Sequence, residues 1–312
     1  MTRPPHALSP AAQADAVSWT SAACALLALA LATPALAERE RRYEPDHDPA
    51  SRPYLDVEVE HGRDKGSARP RSEFALGMSL TSSPEYLGSS RQGLSLRPIV
   101  AYRYGRFKLT SSGGSSVLNF GSQVDDSGAS AELIKTSRWK IKTSARIGGG
   151  RSPSDSVDLA GLPAIDRTIF ARLSVSYKIT ENLSFDNTVA WDLLGHGNGA
   201  LLSSGIGYTF RSSPSTQWTL GAGLTVANAT SMQGLFGVPE SAARADRPAY
   251  TPGAGLRDVG IGAGFMTALS KRWIAFGSVG LNKVVGPAAD SPLTKQALGQ
   301  RATIGIGWRC CR

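Results

Sequence analysis

FALGMSLT, residues 74–81, alternates large apolar side chains with small or polar ones, and this alternation sets the fold class of the chain. One face of the stretch consists of Phe74, Leu76, Met78 and Leu80. The opposite face consists of Ala75, Gly77, Ser79 and Thr81. A period of two residues is typical of a β-strand whose two faces meet different environments.

The next alternating stretch, 94–104, carries charge on its second face, where Arg97 and Arg103 lie opposite the apolar side chains. The same pattern along the chain predicts about twelve strands, and a count of roughly ten to fourteen also fits, because the boundaries over 107–136 are the least defined. The remaining predicted strands are 107–121, bulged at Gly113 and Gly114, then 129–136, 139–149, 168–178, 183–192, 200–210, 218–227, 258–269, 273–283 and 301–308.

The connections between these strands alternate in length. The even-numbered links are short: 105–106, 137–138, 180–182, 211–217 and 270–272. The odd-numbered links are mostly longer, and they include 83–93, 150–167, 228–257 and 284–300. Bacterial outer-membrane barrels have short periplasmic turns and longer outer loops. The pattern therefore predicts an all-β, antiparallel transmembrane barrel over 73–312 with both termini in the periplasm.

Four tryptophans fall at one predicted level of the barrel. Trp139, Trp218 and Trp273 open ascending strands, and Trp308 closes the last descending strand. Aromatic rings gather where lipid meets water, so these four residues are predicted to form a periplasmic aromatic girdle. Trp191 is predicted at the opposite, outer rim.

The N-terminus has the features of an export signal. Residues 22–32, AACALLALALA, are apolar but too short to span a bilayer as a helix, and Ala35 and Ala37 supply the small residues of a cleavage site. We therefore expect residues 1–37 to be a signal peptide cleaved after Ala37 and the mature chain to reach the outer membrane, in contact with its lipid and lipopolysaccharide. The adjacent Cys310 and Cys311 at the other end are interpreted as incidental thiols in a frayed tail.

Residues 38–72 are rich in charge and proline and have few apolar side chains to bury. They are predicted to be a disordered periplasmic segment. The whole chain has a formal net charge of +9, whereas this segment holds eight basic and nine acidic residues, so the excess of positive charge belongs to the barrel. In an exported protein such a charge favours anionic envelope components over nucleic acid.

The strand register predicts a basic lumen. The basic residues expected to point inward are Arg97, Arg103, Lys140, Lys142, Arg146, Arg172 and Lys178, against Asp186, Asp192 and Asp258. The residues expected to face lipid include Val100, Leu173, Val175, Val189, Leu220 and Leu224. A basic lumen favours anions if it is open. The alternative is that these charges form fixed ion-pair networks inside a closed barrel.

The sequence offers little for catalysis. His47 and His61 lie in the charged segment, and His196 lies in the turn GHGNG, residues 195–199. Asp192 and several serines lie nearby, but so many serines give a Ser/His/Asp arrangement almost no specificity. The glycines of 260–264 interrupt an alternating strand and lack the strand–turn–helix context of a phosphate loop. We therefore expect no enzyme activity, no cofactor and no metal.

Three short motifs resemble those of the MltA-interacting protein/OmpV family of outer-membrane proteins. They are SPEYLGS at 83–89, GLFGV at 234–238, and Gly286 followed by DSPL at 290–293. The resemblance covers 74–308. One departure is that Trp308 is followed by Arg309-Cys310-Cys311-Arg312, whereas such barrels usually end on an aromatic residue that the insertion machinery recognises.

The resemblance implies an outer-membrane scaffold that binds a murein lytic transglycosylase and a penicillin-binding protein in cell-wall remodelling. Relatives of the OmpV type are linked to adhesion. Two alternatives stay open beside the scaffold: a small diffusion channel with a basic, anion-favouring lumen, and a surface adhesin. The family has no established catalytic residues to carry over.

Overall fold

The computed structural model describes residues 72–111 and 127–310. The predicted signal peptide, the charged segment up to residue 71, and the distal part of the third strand with its bulge at Gly113 and Gly114 lie outside the described residues.

Twelve antiparallel strands form a closed barrel, which confirms the predicted fold. The sheet closes because β1 pairs with β12 over nine register positions from Phe74↔Cys310 to Ser82↔Ala302, while every other strand pairs with its sequence neighbours. The strands are β1 (Ser72–Pro84), β2 (Gln92–Tyr104), β3 (Phe107–Thr110), β4 (Ser127–Lys135), β5 (Trp139–Gly148), β6 (Thr168–Lys178), β7 (Leu183–Asp192), β8 (Ala200–Ser213), β9 (Thr216–Ala227), β10 (Gly255–Ala268), β11 (Trp273–Val284) and β12 (Leu298–Cys310).

The two faces of the barrel differ as the alternation predicts. On β1, Ser79 is 2% exposed and Thr81 is 5% exposed, whereas Leu80 between them is 40% exposed and Met78 before them is 50% exposed. Leu94 on β2 is 72% exposed. Large apolar side chains are thus placed on the outer surface, where lipid is the solvent, and the small and polar side chains line the interior.

Two sequence expectations about strand ends are wrong. The β8–β9 link comprises only 214–215, because the strands continue as a paired ladder through the polar run that the sequence pattern assigned to a loop, with a register shift between Arg211 and Ser213. Backbone pairing needs no apolar side chains, so the ladder outlasts the alternating pattern. Cys310 is the last residue of β12 and is disulfide-bonded, so it is not a free thiol in a frayed tail.

Short turns and long loops lie at opposite ends of the barrel. The β2–β3, β4–β5, β6–β7, β8–β9 and β10–β11 turns each have two to four residues. The other connections are longer, and the outer loops that the structure describes in full are 85–91, 149–167, 193–199, 228–254 and 285–297. They contain one α-helix, α1 (Ala229–Phe236), and the 3-10 turns Val157–Leu159, Glu240–Ala242 and Gly286–Ala288. No helix within 72–111 and 127–310 has the length and hydrophobicity to cross a bilayer.

Candidate functional site: a basic inner wall beneath a folded outer cap

All seven basic residues that the sequence predicted in the lumen lie on the inner face. Arg97 is the register partner of the buried Ser79, and Arg146 is itself only 7% exposed. The others follow from pairing, since partners in register point to the same side of a sheet. The relevant pairs are Arg103↔Lys108, Lys140↔Ser176, Lys142↔Ser174, Ser144↔Arg172, Arg146↔Phe170 and Lys178↔Ser184. The six residues predicted to face lipid occupy the alternate positions of their strands, so they lie on the outer face of the barrel.

The inner face holds more basic residues than the sequence pattern indicated. Lys108 faces Arg103 across the β2–β3 hairpin, and Lys135 faces Lys140 across the β4–β5 hairpin. Arg211, Arg301 and Arg309 share the same parity on β8 and β12. A signal for Lys108 existed in the sequence: a two-residue turn at 105–106 pairs the residues that flank it, so the next pair inward is Arg103 with Lys108.

Acidic residues on the described inner face are fewer. They are Glu132, Asp186, Asp192 and Asp258, and Glu73 of β1 lies on the same face in register with Arg103. The carboxylate of Glu132 lies 2.8 Å from Nζ of Lys140, and the carboxylate of Asp258 lies 2.5 Å from Nε of Arg257. The inner surface is therefore basic even after the ion pairs made by these two acidic residues.

The basic residues are concentrated on one side of the barrel. Strands β2 to β6 carry most of them, whereas β8 to β11 present a row of glycines in register: Gly207, Gly221, Gly262 and Gly280. Glycine leaves the backbone exposed and lets other side chains approach closely. On β12, for example, a Cβ at Gly305 would lie 2.2 Å from the ring of Phe276, which covers that position. The lumen thus has a basic wall on β2–β6 and a glycine wall on β8–β12.

The outer loops pack together into one folded structure, which we call the outer cap (85–91, 149–167, 193–199, 228–254 and 285–297). Two buried apolar clusters hold it together. The first contains Leu159, Leu162, Val238, Ala242 and Leu293, with Tyr86 and Tyr250 packed against it. The second contains Ala227, Met232, Phe236, Val284 and Ala288, with Leu87, Leu201, Leu235 and Ala289 packed against it.

Helix α1 of the cap lies on the inner wall. Ala227 and Val284 of the second cluster, and Leu201 beside it, have inward parity on β9, β11 and β8. Met232 and Phe236 of α1 cover them and are fully buried. The loop 228–254 therefore folds inward over the outer end of the glycine wall. It narrows the outer opening of the lumen from that side.

Polar side chains tie the loops to one another. Asn198 accepts a hydrogen bond from the Gly150 amide at 2.6 Å and donates one to the Asp166 carbonyl at 2.9 Å, which joins two loops. Asp192, at the end of β7, accepts hydrogen bonds from Thr168 and from the backbone of 193–199. These contacts connect the 193–199 loop to the strands beneath it.

Two buried arginines stabilise the cap through carbonyl groups. Arg247, only 2% exposed, donates hydrogen bonds to the carbonyls of Asp158, Ala160 and Ala242 at 3.1–3.2 Å. Arg151, 6% exposed, donates one to the Gly237 carbonyl at 3.2 Å. Burial lowers the pKa of both guanidinium groups, yet an arginine stays charged in proteins, so each adds a fixed positive charge inside the cap.

The three motifs quoted from the sequence meet in the cap. The Tyr86 hydroxyl donates to the Leu293 carbonyl at 2.9 Å, and the Ser291 hydroxyl donates to the Phe236 carbonyl at 2.7 Å. Gly88 accepts hydrogen bonds through its carbonyl from the amides of Lys295 and Gln296, at 2.8 and 3.0 Å. The motifs at 83–89, 234–238 and 290–293 are thus the segments through which separate loops contact each other.

A family model described as MltA-interacting protein MipA matches residues 76–310, which covers the barrel and its cap. The chain belongs to this family. Family membership agrees with the resemblance found in the sequence, and together with the closed barrel it makes the chain an outer-membrane β-barrel protein of the MipA family. A search of curated proteins found no matching relative.

Several solved barrels are similar to this chain at low identity. The KdgM porin is 12% identical, with 75% of this chain and 98% of that chain covered and a TM-score of 0.37. OmpT of Vibrio cholerae is 8% identical, with 79% and 99% covered and a TM-score of 0.36. The CymD monoaromatic hydrocarbon channel is 10% identical, with 78% and 89% covered and a TM-score of 0.36. At these identities and TM-scores the similarity supports no functional assignment.

The four tryptophans of the predicted girdle lie at the periplasmic ends of their strands with outward parity. Trp273 and Trp308 are register partners. The ring of Trp139 packs on Tyr177 with centroids 4.6 Å apart, and that of Trp218 on Phe265 at 5.4 Å. Trp191 lies at the other end, as the next-to-last residue of β7.

The residues considered for catalysis make other contacts. Nδ1 of His196 lies 2.7 Å from the Arg167 carbonyl, and Asp192 bonds to its own loop rather than to His196. Gly260 and Gly262 lie within β10 and belong to the glycine wall. Across the described residues, no group of three or more His, Cys, Asp and Glu side chains could hold a metal ion.

Proposed function

We propose that this protein is an outer-membrane scaffold that binds periplasmic cell-wall remodelling enzymes, with a murein lytic transglycosylase and a penicillin-binding protein as its partners. The observation that carries the proposal is family membership over 76–310, since the family is named for its interaction with MltA. On this proposal the protein acts by binding these two enzymes and has no enzyme activity of its own.

The architecture supports this proposal in two ways. In the outer cap, the described outer loops pack against each other and against the inner wall. This packing stabilises the outer end of the barrel and leaves the periplasmic end as the side for partner binding. The N-terminus of β1 and the last residue of β12 lie at the end with the short turns, which is the periplasmic end in bacterial barrels. On this proposal the predicted segment 38–72 takes part in binding cell-wall enzymes on that side.

Affinity capture from envelope extracts tests the scaffold. The full-length chain, tagged in an exposed loop, is expected to retrieve a lytic transglycosylase, and deletion of residues 40–70 is expected to weaken retrieval while barrel folding survives. Heat-modifiable migration on SDS gels provides the folding control. Failure of both forms to retrieve any wall enzyme would remove the scaffold proposal.

A small, anion-favouring diffusion channel is the second candidate, and the basic wall on β2–β6 is the observation that favours it. Helix α1 narrows the outer opening of the lumen on the side of the glycine wall. A solute that passes through the barrel would therefore travel along the basic wall. Reversal potentials in planar bilayers under a salt gradient test this candidate. Anion preference supports the channel, and absence of conductance or cation preference excludes it.

A further inference from the structure

We infer that the periplasmic mouth of the barrel is a binding site for an extended acidic segment of a protein partner. This inference rests on the proposed scaffold function and names the surface that such a partner would contact. The site is a group of inward-facing basic residues at the periplasmic ends of β2–β6, which we call the mouth cluster: Arg103, Lys108, Lys135, Lys140, Lys142 and Lys178.

The register places the mouth cluster at the periplasmic entrance. Arg103 and Lys108 form the second register pair above the 105–106 turn, after Tyr104↔Phe107. Lys135 and Lys140 form the pair next to the β4–β5 turn, and Lys178 is the last residue of β6. Three consecutive hairpins therefore present basic residues inward at the same end of the barrel.

The mouth cluster has an excess of positive charge. The acidic inner-face positions at this end of the described strands are Glu132, which lies 2.8 Å from Lys140, Asp186, and Glu73 of β1, the register partner of Arg103. Within the described residues, Lys108, Lys135 and Lys178 lie in no ion pair. Six basic residues therefore lie among three acidic positions in the described part of the barrel, and the amino groups of Lys108, Lys135 and Lys178 are the donors that this part of the chain leaves to an anionic ligand.

The direction of these side chains excludes lipid headgroups as their natural ligand. Headgroups lie outside the barrel wall, whereas Lys108 and Lys142 point into the lumen with Ser130 and Ser174. By contrast, Arg106, Arg138, Lys271 and Arg272 belong to the exposed periplasmic turns and can reach headgroups. A lipid headgroup is therefore a poor ligand for the mouth cluster, and the periplasmic opening is the nearest entry for any other ligand.

The dimensions of the site favour an extended polypeptide. Neighbouring strands lie about 4.8 Å apart, and alternate residues on one strand, such as Lys140 and Lys142, lie about 7 Å apart. Alternate residues of an extended acidic chain have the same repeat of about 7 Å. Barrels of about eight strands are filled by their own side chains and those of about sixteen hold a channel, so a lumen of twelve strands has an intermediate width, which favours an extended chain over a folded domain.

Binding of a fluorescent peptide of alternating Glu and Ser residues to the refolded full-length chain in detergent micelles tests the inference. Fluorescence anisotropy is expected to show binding that weakens steeply as salt rises. The double substitution Lys108→Gln/Lys142→Gln is expected to weaken binding roughly tenfold, since two partly shielded charges are lost. The matched control is Lys271→Gln/Arg272→Gln, which removes the same charge from the β10–β11 turn and should change affinity by less than about twofold.

Three results would overturn the inference. Equal weakening by both double substitutions would show general attraction to a basic protein, with no role for the mouth. Unchanged binding in the mouth variant would exclude the site directly. Tighter binding of polygalacturonate, an acidic polysaccharide, than of the peptide at equal charge would assign the site to another class of ligand.

Envelope capture with the same variants separates this inference from the scaffold proposal. If the wild-type chain and the mouth variant retrieve the transglycosylase equally, the scaffold stands and the mouth site is wrong. If neither retrieves it while the wild-type chain still binds the acidic peptide, the scaffold is wrong and the mouth site stands. Heat-modifiable migration on SDS gels confirms that each variant is folded.

Discussion

Arg103 and Lys108 face each other as register partners on the inner wall, where the β2–β3 hairpin approaches the periplasm. Like charges directly opposite each other destabilise a sheet. Arg103 also has the acidic Glu73 as its register partner on β1, whereas the register partners of Lys108 are Arg103 and Ser130. The Arg103–Lys108 pair is therefore less favourable than an opposite-charge pair would be at this position, and it concentrates positive charge at the periplasmic mouth.

Lys108→Glu converts the repulsive pair into an attractive one. We expect the barrel to become more stable by about 0.5–1 kcal/mol, because an opposite-charge cross-strand pair replaces a like-charge pair. Urea unfolding in phospholipid vesicles, followed by tryptophan fluorescence, measures the change. Lys108→Gln is the control and should give a smaller gain, since it removes the repulsion without adding an attraction. A less stable Lys108→Glu barrel would contradict the argument.

Ser291→Ala tests the contact between two loops of the outer cap. The Ser291 hydroxyl donates to the Phe236 carbonyl and accepts from the Leu293 amide at 3.1 Å, so its loss leaves two buried backbone groups without a partner. We expect the cap to lose about 1–3 kcal/mol. Hydrogen exchange should accelerate in 228–254 and 285–297 but not in the strands. Thr251→Ala, at an exposed position of the 228–254 loop, should leave exchange unchanged.

Phe236→Ala tests whether helix α1 is held on the inner wall by apolar packing. Phe236 is fully buried, so the substitution creates a cavity that costs about 3–5 kcal/mol. We expect the loop 228–254 to be cleaved faster by added protease, with the barrel itself intact. Val157→Ala, at a position 63% exposed, is the control and should leave cleavage unchanged. Unaltered cleavage of Phe236→Ala would show that the helix is held by other contacts.

Tyr86 makes the cap sensitive to high pH. Burial of its hydroxyl, together with the nearby Asp158, raises its pKa above the ordinary value of 10.0. Because the folded-state pKa is raised, its contribution to stability is complete below pH 10 and is lost progressively as pH rises from about 10 through the folded-state pKa. Tyrosinate absorbance at 295 nm should therefore rise equally in the wild type and in Tyr86→Phe up to about pH 11. A smaller rise in Tyr86→Phe would show that Tyr86 ionises as an ordinary tyrosine.

The local sequence pattern was sufficient to predict the barrel. The alternation at 74–81 and its repeats predicted the strands, and the loop lengths predicted which end is periplasmic, because strand period and hairpin length are properties of neighbouring residues. Lys108 was missed although the 105–106 turn pairs it with Arg103. The sequence pattern did not predict that β8 extends to Ser213 and that β9 begins at Thr216. Backbone hydrogen bonds hold these strand ends together, and they require no alternation of apolar side chains.

The outer cap was decided by tertiary structure alone. The Tyr86–Leu293 hydrogen bond joins residues 207 positions apart, and the Ser291–Phe236 bond joins residues 55 apart, so neither contact has a periodic trace in the sequence. The same holds for helix α1, whose Met232 and Phe236 gain their burial only because the closed barrel brings Ala227 and Val284 beneath them. Sequence period reports the environment of one strand, whereas loop packing depends on which loops the barrel closure brings together.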